Sequence, residues 1–199
     1  DDQKIMALEQ HSLRAEMDYL KYQINPHFFM NTLNNIHAMI DFDSEMAKQS
    51  VVELSHMLRH LLYDSSEKIT TLDKEVDFID SYIKLMRIRY IDEVNIEFNK
   101  PDIVLCRKIK LPPLLLIVLV ENAFKHGVSY NQPSYVYIDV SFNGGMICGR
   151  VENSRFDNNN HSERRAGGMG LENIRKRLTA KRPGIKALKH RIAVLLLVA

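Results

Sequence analysis

A histidine beside a proline is the first place where this 199-residue chain could do chemistry. In QINPHFFMNTLN, residues 23–34, Gln23 and Asn31 stand four residues to either side of His27, so on a regular helix the three share a face, with Asn34 close to it. A neutral imidazole is a competent nucleophile at physiological pH. Pro26 removes a backbone donor and its ring clashes with the carbonyl of Tyr22, four residues back, so a helix running through this point should bend and hold the imidazole out. An isolated Asn-Pro-His is more often a kinked bundle helix with an ordinary surface histidine, and spacing alone does not decide between the two.

A second cluster is ENAFKHG, residues 121–127. Glu121 and Lys125 can pair one turn apart, and Asn122 and His126 share the neighbouring face. An amide oxygen is a hard ligand suited to magnesium, which takes few protein ligands and completes its octahedron with water and phosphate oxygens. Lys125 and His126 could contact those phosphates. The plainer alternative is a solvated helix end closed by Gly127. A third cluster, GGMGLENIRKRL at 167–178, puts glycines before a helix start, where backbone amides can approach a phosphate, although short glycine clusters occur in many loops. His56, His60 and Asp64 recur every four residues, a spacing that can hold zinc, but a polar outward helix face explains it more simply.

These groups need elements to position them. Leu13, Met17, Leu20 and Ile24 form a helical apolar stripe; after Pro26 it resumes as Phe29, Leu33, Ile36 and Ile40 with a slipped phase. DFDS at 41–44 supplies turn and cap residues, and a second helix from Met46 to Tyr63 carries Val51, Leu54, Leu58 and Leu61. Two antiparallel helices joined by a short loop are expected. SSEKITT, residues 65–71, is polar and reads as a link to a second unit, so residues 1–66 and 67–199 are taken as the two domains. Beyond it, Val76, Ile79, Ile83 and Met86 mark a helix, and Val94 to Phe98 and Ile103 to Ile109 read as strands. Pro112 and Pro113 are expected to open a buried helix that Gly127 closes. Tyr135 to Phe142 and Met146 to Val151 flank Gly144 and Gly145 as a hairpin, the alternation of its second strand being imperfect. A polar stretch through Gly170 resembles a loop with glycine hinges, and the chain closes on an apolar, strand-like run.

Composition sets outer limits. With 45% hydrophobic and 26% charged residues the chain can bury a core, and a formal charge of +2 is too small to argue for nucleic-acid or membrane attraction, so any basic surface would have to be local. Leu114 to Val120 is the longest apolar run, far short of the ~20 residues a membrane helix needs. Cys106 and Cys148 form no closely spaced pair and suit free thiols in a reducing compartment, with a single bridge as the alternative. The sequence opens at Asp1 with a helical pattern under way, as expected of a piece of a longer protein with a sensor or membrane segment upstream.

Taken in order, these stretches resemble the LytS-type family of sensor histidine kinases. QINPHFFMNTLN is similar to that family's phosphoacceptor motif, LDKEVDFIDSYIKLMRIRY at 72–90 to its connecting helix, and LPPLLLIVLVENAFKHG at 111–127 to its magnesium and nucleotide box. The resemblance implies an α+β chain. Its helical hairpin would serve dimerisation and carry the phosphoacceptor; an α/β sandwich of the type shared by histidine kinases, gyrase and MutL would bind ATP. It further implies that His27 is phosphorylated, that Asn122 binds magnesium, that Glu121, Lys125 and His126 line the nucleotide site, and that Gly168 and Gly170 belong to a lid over ATP. The implied partners are a second copy of the chain and a response regulator, of LytTR type; contact with DNA would be the regulator's work. The implied location is the cytoplasmic part of an inner-membrane sensor.

Two departures from the family pattern stand out. An aspartate usually meets the adenine amino group where this chain reads VENSR at 151–155. Asn153 is aligned with it, an uncharged acceptor that would bind less tightly, with Glu152 as the other candidate. Phe28 stands where many histidine kinases have an acidic residue directly after the histidine, so no proton acceptor is assigned. Two rival readings follow: a non-catalytic dimeric scaffold with a degenerate nucleotide site, and an ATPase of the same fold in which Glu121 activates water.

Overall fold

The computed structural model describes residues 26–62, 69–90, 94–129, 131–143 and 145–156, together with the backbone of 191–198. The chain divides into two compact units, Asp1–Ser66 and Glu67–Ala199. Among the described residues the first unit contains α1 (Pro26–Met39) and α2 (Ser44–Leu62), which pack on one another. The turn between them is made by backbone and cap together. Asp43 donates its amide to the Met39 carbonyl at 2.9 Å, and its Oδ1 accepts from the Met46 amide at 2.9 Å, starting α2 with Glu45 in the favourable first turn.

The buried faces of these helices are rotated from the expected ones. Phe28, Thr32, Ile36 and Met39 are buried on α1, whereas Leu33 is 49% exposed and Ile40 52%. On α2 Ala47, Ser50, Leu54, Met57, His60 and Leu61 are buried, and Val51 and Leu58 face outward. Thr32 and Ser50 can occupy buried positions because their hydroxyls donate to the Phe28 and Met46 carbonyls at 2.8 and 2.7 Å. The slip in the apolar pattern before Pro26 lies outside the described residues. The outward polar face predicted for His56 and His60 is not observed: His56 is exposed, His60 is buried, and Asp64 is outside the described residues.

The second unit opens with β1 (Thr70–Thr71) and α3 (Leu72–Arg89). Val76, Ile79, Ile83 and Met86, the stripe that the sequence predicts, are buried on α3 together with Leu72. There follow β2 (Val94–Asn99), α4 (Ile103–Cys106), β3 (Lys110–Leu111), α5 (Ile117–Gly127), β4 (Ser134–Asn143), β5 (Met146–Asn153) and β6 (Arg191–Val198). A four-stranded sheet has the order β2-β4-β5-β6, its central β4–β5 pair antiparallel and both outer pairs parallel. β1 and β3 make a separate antiparallel pair. α5 lies on β4 and β5, and α3 packs on α5 and β2, making a two-layer α+β arrangement. The Arg87 guanidinium donates to the Ile96 carbonyl at 3.0 Å and pins α3 to the sheet edge.

Two expectations fail in this unit. The Ile103 to Ile109 strand is replaced by one helical turn, because the Asp102 side chain accepts from the Val104 amide at 2.8 Å and the Cys106 amide closes onto the Asp102 carbonyl. That turn leaves Ile103, Val104 and Leu105 exposed, which a local apolar count cannot foresee. The buried helix also starts later than the two prolines, at Ile117. Before it, Leu114 adopts a left-handed backbone at φ 54°, which a leucine takes up only when its surroundings enforce it. Cys106 and Cys148 are both free thiols, and burial pushes the Cys106 thiol up from its ordinary value.

Candidate functional site

In the first unit His27 is exposed near the start of α1. The Asn31 amide lies 3.1 Å from its Nδ1, one helical turn on, so the regular spacing predicted for this pair holds and the amide fixes the ring's orientation. Phe28, the next residue, turns into the buried side and meets Phe29 edge-on at 5.3 Å. The histidine therefore sits at the boundary between a packed face and solvent, a placement that permits reaction at the ring.

In the second unit the site is built on the packing of α5 against β5. The inward series of β5 is Ile147, Gly149, Val151 and Asn153, which explains the imperfect alternation: a glycine and an asparagine occupy positions that face the helix. Both places are close approaches. A Cβ on Gly149 would meet Leu116 at 3.2 Å, and a Cβ on Gly127 would come within 2.4 Å of Asn153. The helix thus runs along the strand from Gly149 toward Asn153, and the ENAFKHG end of α5 arrives beside the VENSR end of β5.

Asn153 is 2% exposed, and its Nδ2 donates to the Ser154 carbonyl at 2.7 Å. Glu152, the other candidate, points to the opposite face of the sheet, where it pairs with Arg150. Ser154 in turn exchanges two bonds with Tyr135, its Oγ accepting from the Tyr135 amide at 2.8 Å and its amide donating back at 3.1 Å, which fixes the strand end. Glu121 and Asn122 are half-buried on α5, and Lys125 and His126 are exposed in its last turn. Burial pushes the Glu121 carboxyl up to about 7. Behind it Tyr82 is raised well above its ordinary value, by burial first and by the nearby Glu121 charge second. Tyr82 and Tyr90 hold Phe124 between an edge contact at 5.7 Å and a stack at 6.4 Å, an aromatic clamp worth ~0.5–1.5 kcal/mol per pair beyond its area.

Glu121, Asn122, Lys125, His126 and Asn153 are therefore gathered at one end of the α5–β5 layer, while His27 belongs to the other unit; Gly168 and Gly170 lie outside the described residues. Among the described residues no group of three or more His, Cys, Asp or Glu side chains could hold a metal. One amide oxygen beside one half-buried carboxyl fits a magnesium ion that takes most of its ligands from phosphate and water, and does not fit a cage built from protein alone. No helix among the described residues is long and apolar enough to cross a membrane.

One residue that bears on this site was missed from sequence. Glu75 is 1% exposed, and its carboxylate accepts from the amides of Leu114, Leu115 and Leu116 at 2.6, 3.0 and 3.3 Å. The available signal was its phase: with Leu72, Val76 and Ile79 it falls inside the apolar stripe of α3, where an unsatisfied carboxylate could not remain.

A family model for histidine kinases matches residues 15–94. The sensor histidine kinase/phosphatase LytS of Staphylococcus aureus strain MRSA252 is 39% identical over 127 residues, 64% of this chain and 21% of that protein. The same protein from strains Mu50 and N315 shows the same identity over the same shares. The chain spans about a fifth of the length of these curated relatives.

Proposed function

From the premise that this chain belongs to the LytS-type sensor histidine kinases, we propose that it phosphorylates His27 at the expense of ATP and passes the phosphoryl group to an aspartate of a response regulator. The observation that carries this reading is the exposed His27 ring held by Asn31 in one unit, with a separate cluster of amide, carboxyl and cationic groups at the end of α5 in the other. A phosphoryl transfer asks the protein mainly for alignment and for charge placed where the phosphate oxygens will be. Asn122 would offer its amide oxygen to magnesium, and Lys125 and His126 would approach the phosphates. Asn153 would accept from the adenine amino group, and Gly168 and Gly170 would supply the lid. Magnesium, when bound, neutralises charge on the phosphate oxygens.

Residues 1–66 would be the dimerisation and phosphoacceptor domain and 67–199 the ATP-binding domain of the histidine kinase, gyrase and MutL type. Support for a homodimer comes from outward apolar residues on both helices, among them Met30, Leu33, Val51, Leu58 and Leu62. The regulator would be of LytTR type, and the chain would work on the cytoplasmic side of an inner membrane. A second reading, the non-catalytic scaffold, is favoured by one observation: Asn153 is closed off from solvent and already bonded to Ser154.

One assay separates these readings. Protein incubated with γ-labelled ATP and magnesium should acquire acid-labile, alkali-stable label that His27→Ala abolishes. Label surviving that substitution removes His27 as the acceptor. Absence of label with weak ATP binding supports the scaffold, and free phosphate without labelled protein supports an ATPase acting through Glu121.

A further inference from the structure

We infer that Glu75 is a positioning residue for the nucleotide site: its buried carboxylate grips the amides that precede α5 and thereby sets where Glu121 and Asn122 stand. The inference rests on the nucleotide-binding reading above and adds a residue that contacts no nucleotide.

The start of α5 has no cap of its own. Leu116 occupies the cap position without a side-chain hydrogen bond, although the first amides of a helix require acceptors. Glu75 instead supplies acceptors to the cap residue and the two residues before it, from 39 to 41 residues away, with Oε1 taking Leu114 and Oε2 taking Leu115 and Leu116. A carboxylate accepting several amides forms stronger bonds than a neutral acceptor does. The grip also coincides with the left-handed Leu114, whose backbone this contact helps to enforce. A second attachment lies beside it: the Leu72 amide donates to the Ile109 carbonyl at 2.9 Å, and Thr70 and Thr71 pair with Leu111 and Lys110. The first turn of α3 is thus fastened to residues 109–116 at two levels, and α5 begins directly after them. Because α5 is close-packed on β5 at Gly149 and Gly127, it cannot absorb a shift at its start by bending; the shift moves Asn122 relative to Asn153.

The test uses the full chain with Glu75→Gln and Glu75→Asp. Glutamine keeps the volume but turns an amide donor toward backbone donors, and aspartate keeps the charge but shortens the reach. Binding of a non-hydrolysable ATP analogue is titrated with and without magnesium on protein shown to be folded at the assay temperature, and hydrogen exchange is followed along 114–122. The expected result is a loss of magnesium-dependent affinity on the order of 10- to 100-fold in Glu75→Gln and less in Glu75→Asp. Faster exchange should spread from 114–116 into the first two turns of α5. A purely stabilising role would lower the melting temperature and leave the affinity of the folded protein and its magnesium dependence unchanged, and that result overturns the inference. Should Glu75→Gln fail to fold, Glu75→Asp decides by the same readings. Wild type that binds no analogue overturns the nucleotide reading itself, whereas wild-type binding matched by a folded variant overturns only the role of Glu75.

Discussion

The two units handle apolar side chains in opposite ways. In the second, the apolar side of α5 and the two residues before it are sealed: Leu115, Leu116, Ile117, Leu119 and Val120 are all buried, as is the stripe of α3 against which α5 packs. In the first, α1 and α2 bury one stripe each and leave a second outside, with Leu33, Val51 and Leu58 half-exposed and Phe42 76% exposed at the turn. A helix pair with apolar residues on two sides satisfies only one of them within a single chain. Apart from Ile103, Val104 and Leu105 on the short α4, the contrast separates a unit whose described helices are sealed on their apolar side from one whose helices present a second apolar face.

The contrast can be broken most sharply at the sealed helix. Leu119→Ala removes a side chain buried to 1% exposure and should cost ~2–5 kcal/mol of stability, read by chemical denaturation of the second unit. Next is Gly127→Ala. Its methyl would overlap Asn153, so a loss of ~1–3 kcal/mol is expected together with weaker nucleotide binding, measured by melting and titration on the same sample.

On the open side, the double substitution Val51→Glu and Leu58→Glu, two turns apart on one face, should leave the stability of the single chain within about 0.5 kcal/mol. It should still shift sedimentation toward the monomer. A large loss of fold stability without a change in association would mean that these residues are core and the contrast is false.

The smallest effect concerns pH and sharpens the account of the site. Burial raises the Glu121 carboxyl from 4.5 to about 7, so between these values the folded chain keeps a proton that the unfolded chain has released. Its contribution is fully present below about 4.5 and is lost as pH rises toward 7. Glu121→Gln should remove that slope, and denaturation curves at pH 5 and pH 8 should differ less in the variant than in wild type.

Much of this architecture was legible in order and type. The α3 stripe, the β4–β5 hairpin and the spacing of His27 and Asn31 follow from local periodicity, because 3.6- and 2-residue repeats report directly on which side chains share a face. The errors have specific causes. Counting only large apolar residues chose Phe29 and Leu33 as the buried face of α1, when Phe28 and Thr32 occupy it and Thr32 satisfies its hydroxyl on the helix itself. Reading IVLC as a strand ignored the cap that Asp102 offers two residues on. Glu152 and Asn153, the two candidates that the sequence leaves open, are separated by strand parity: adjacent residues face opposite sides, and only Asn153 faces α5.

By itself the sequence determined the reactive types and their local geometry: a histidine with an amide one turn away, and a carboxyl, an amide, a lysine and a histidine on the last turns of an apolar helix. These depend on spacing within one element, which the backbone repeat fixes. Tertiary structure decided where α5 begins and what stands across from its end. Those follow from a carboxylate reaching amides some forty residues away and from a glycine that lets an asparagine close in, contacts between distant segments that no local repeat encodes.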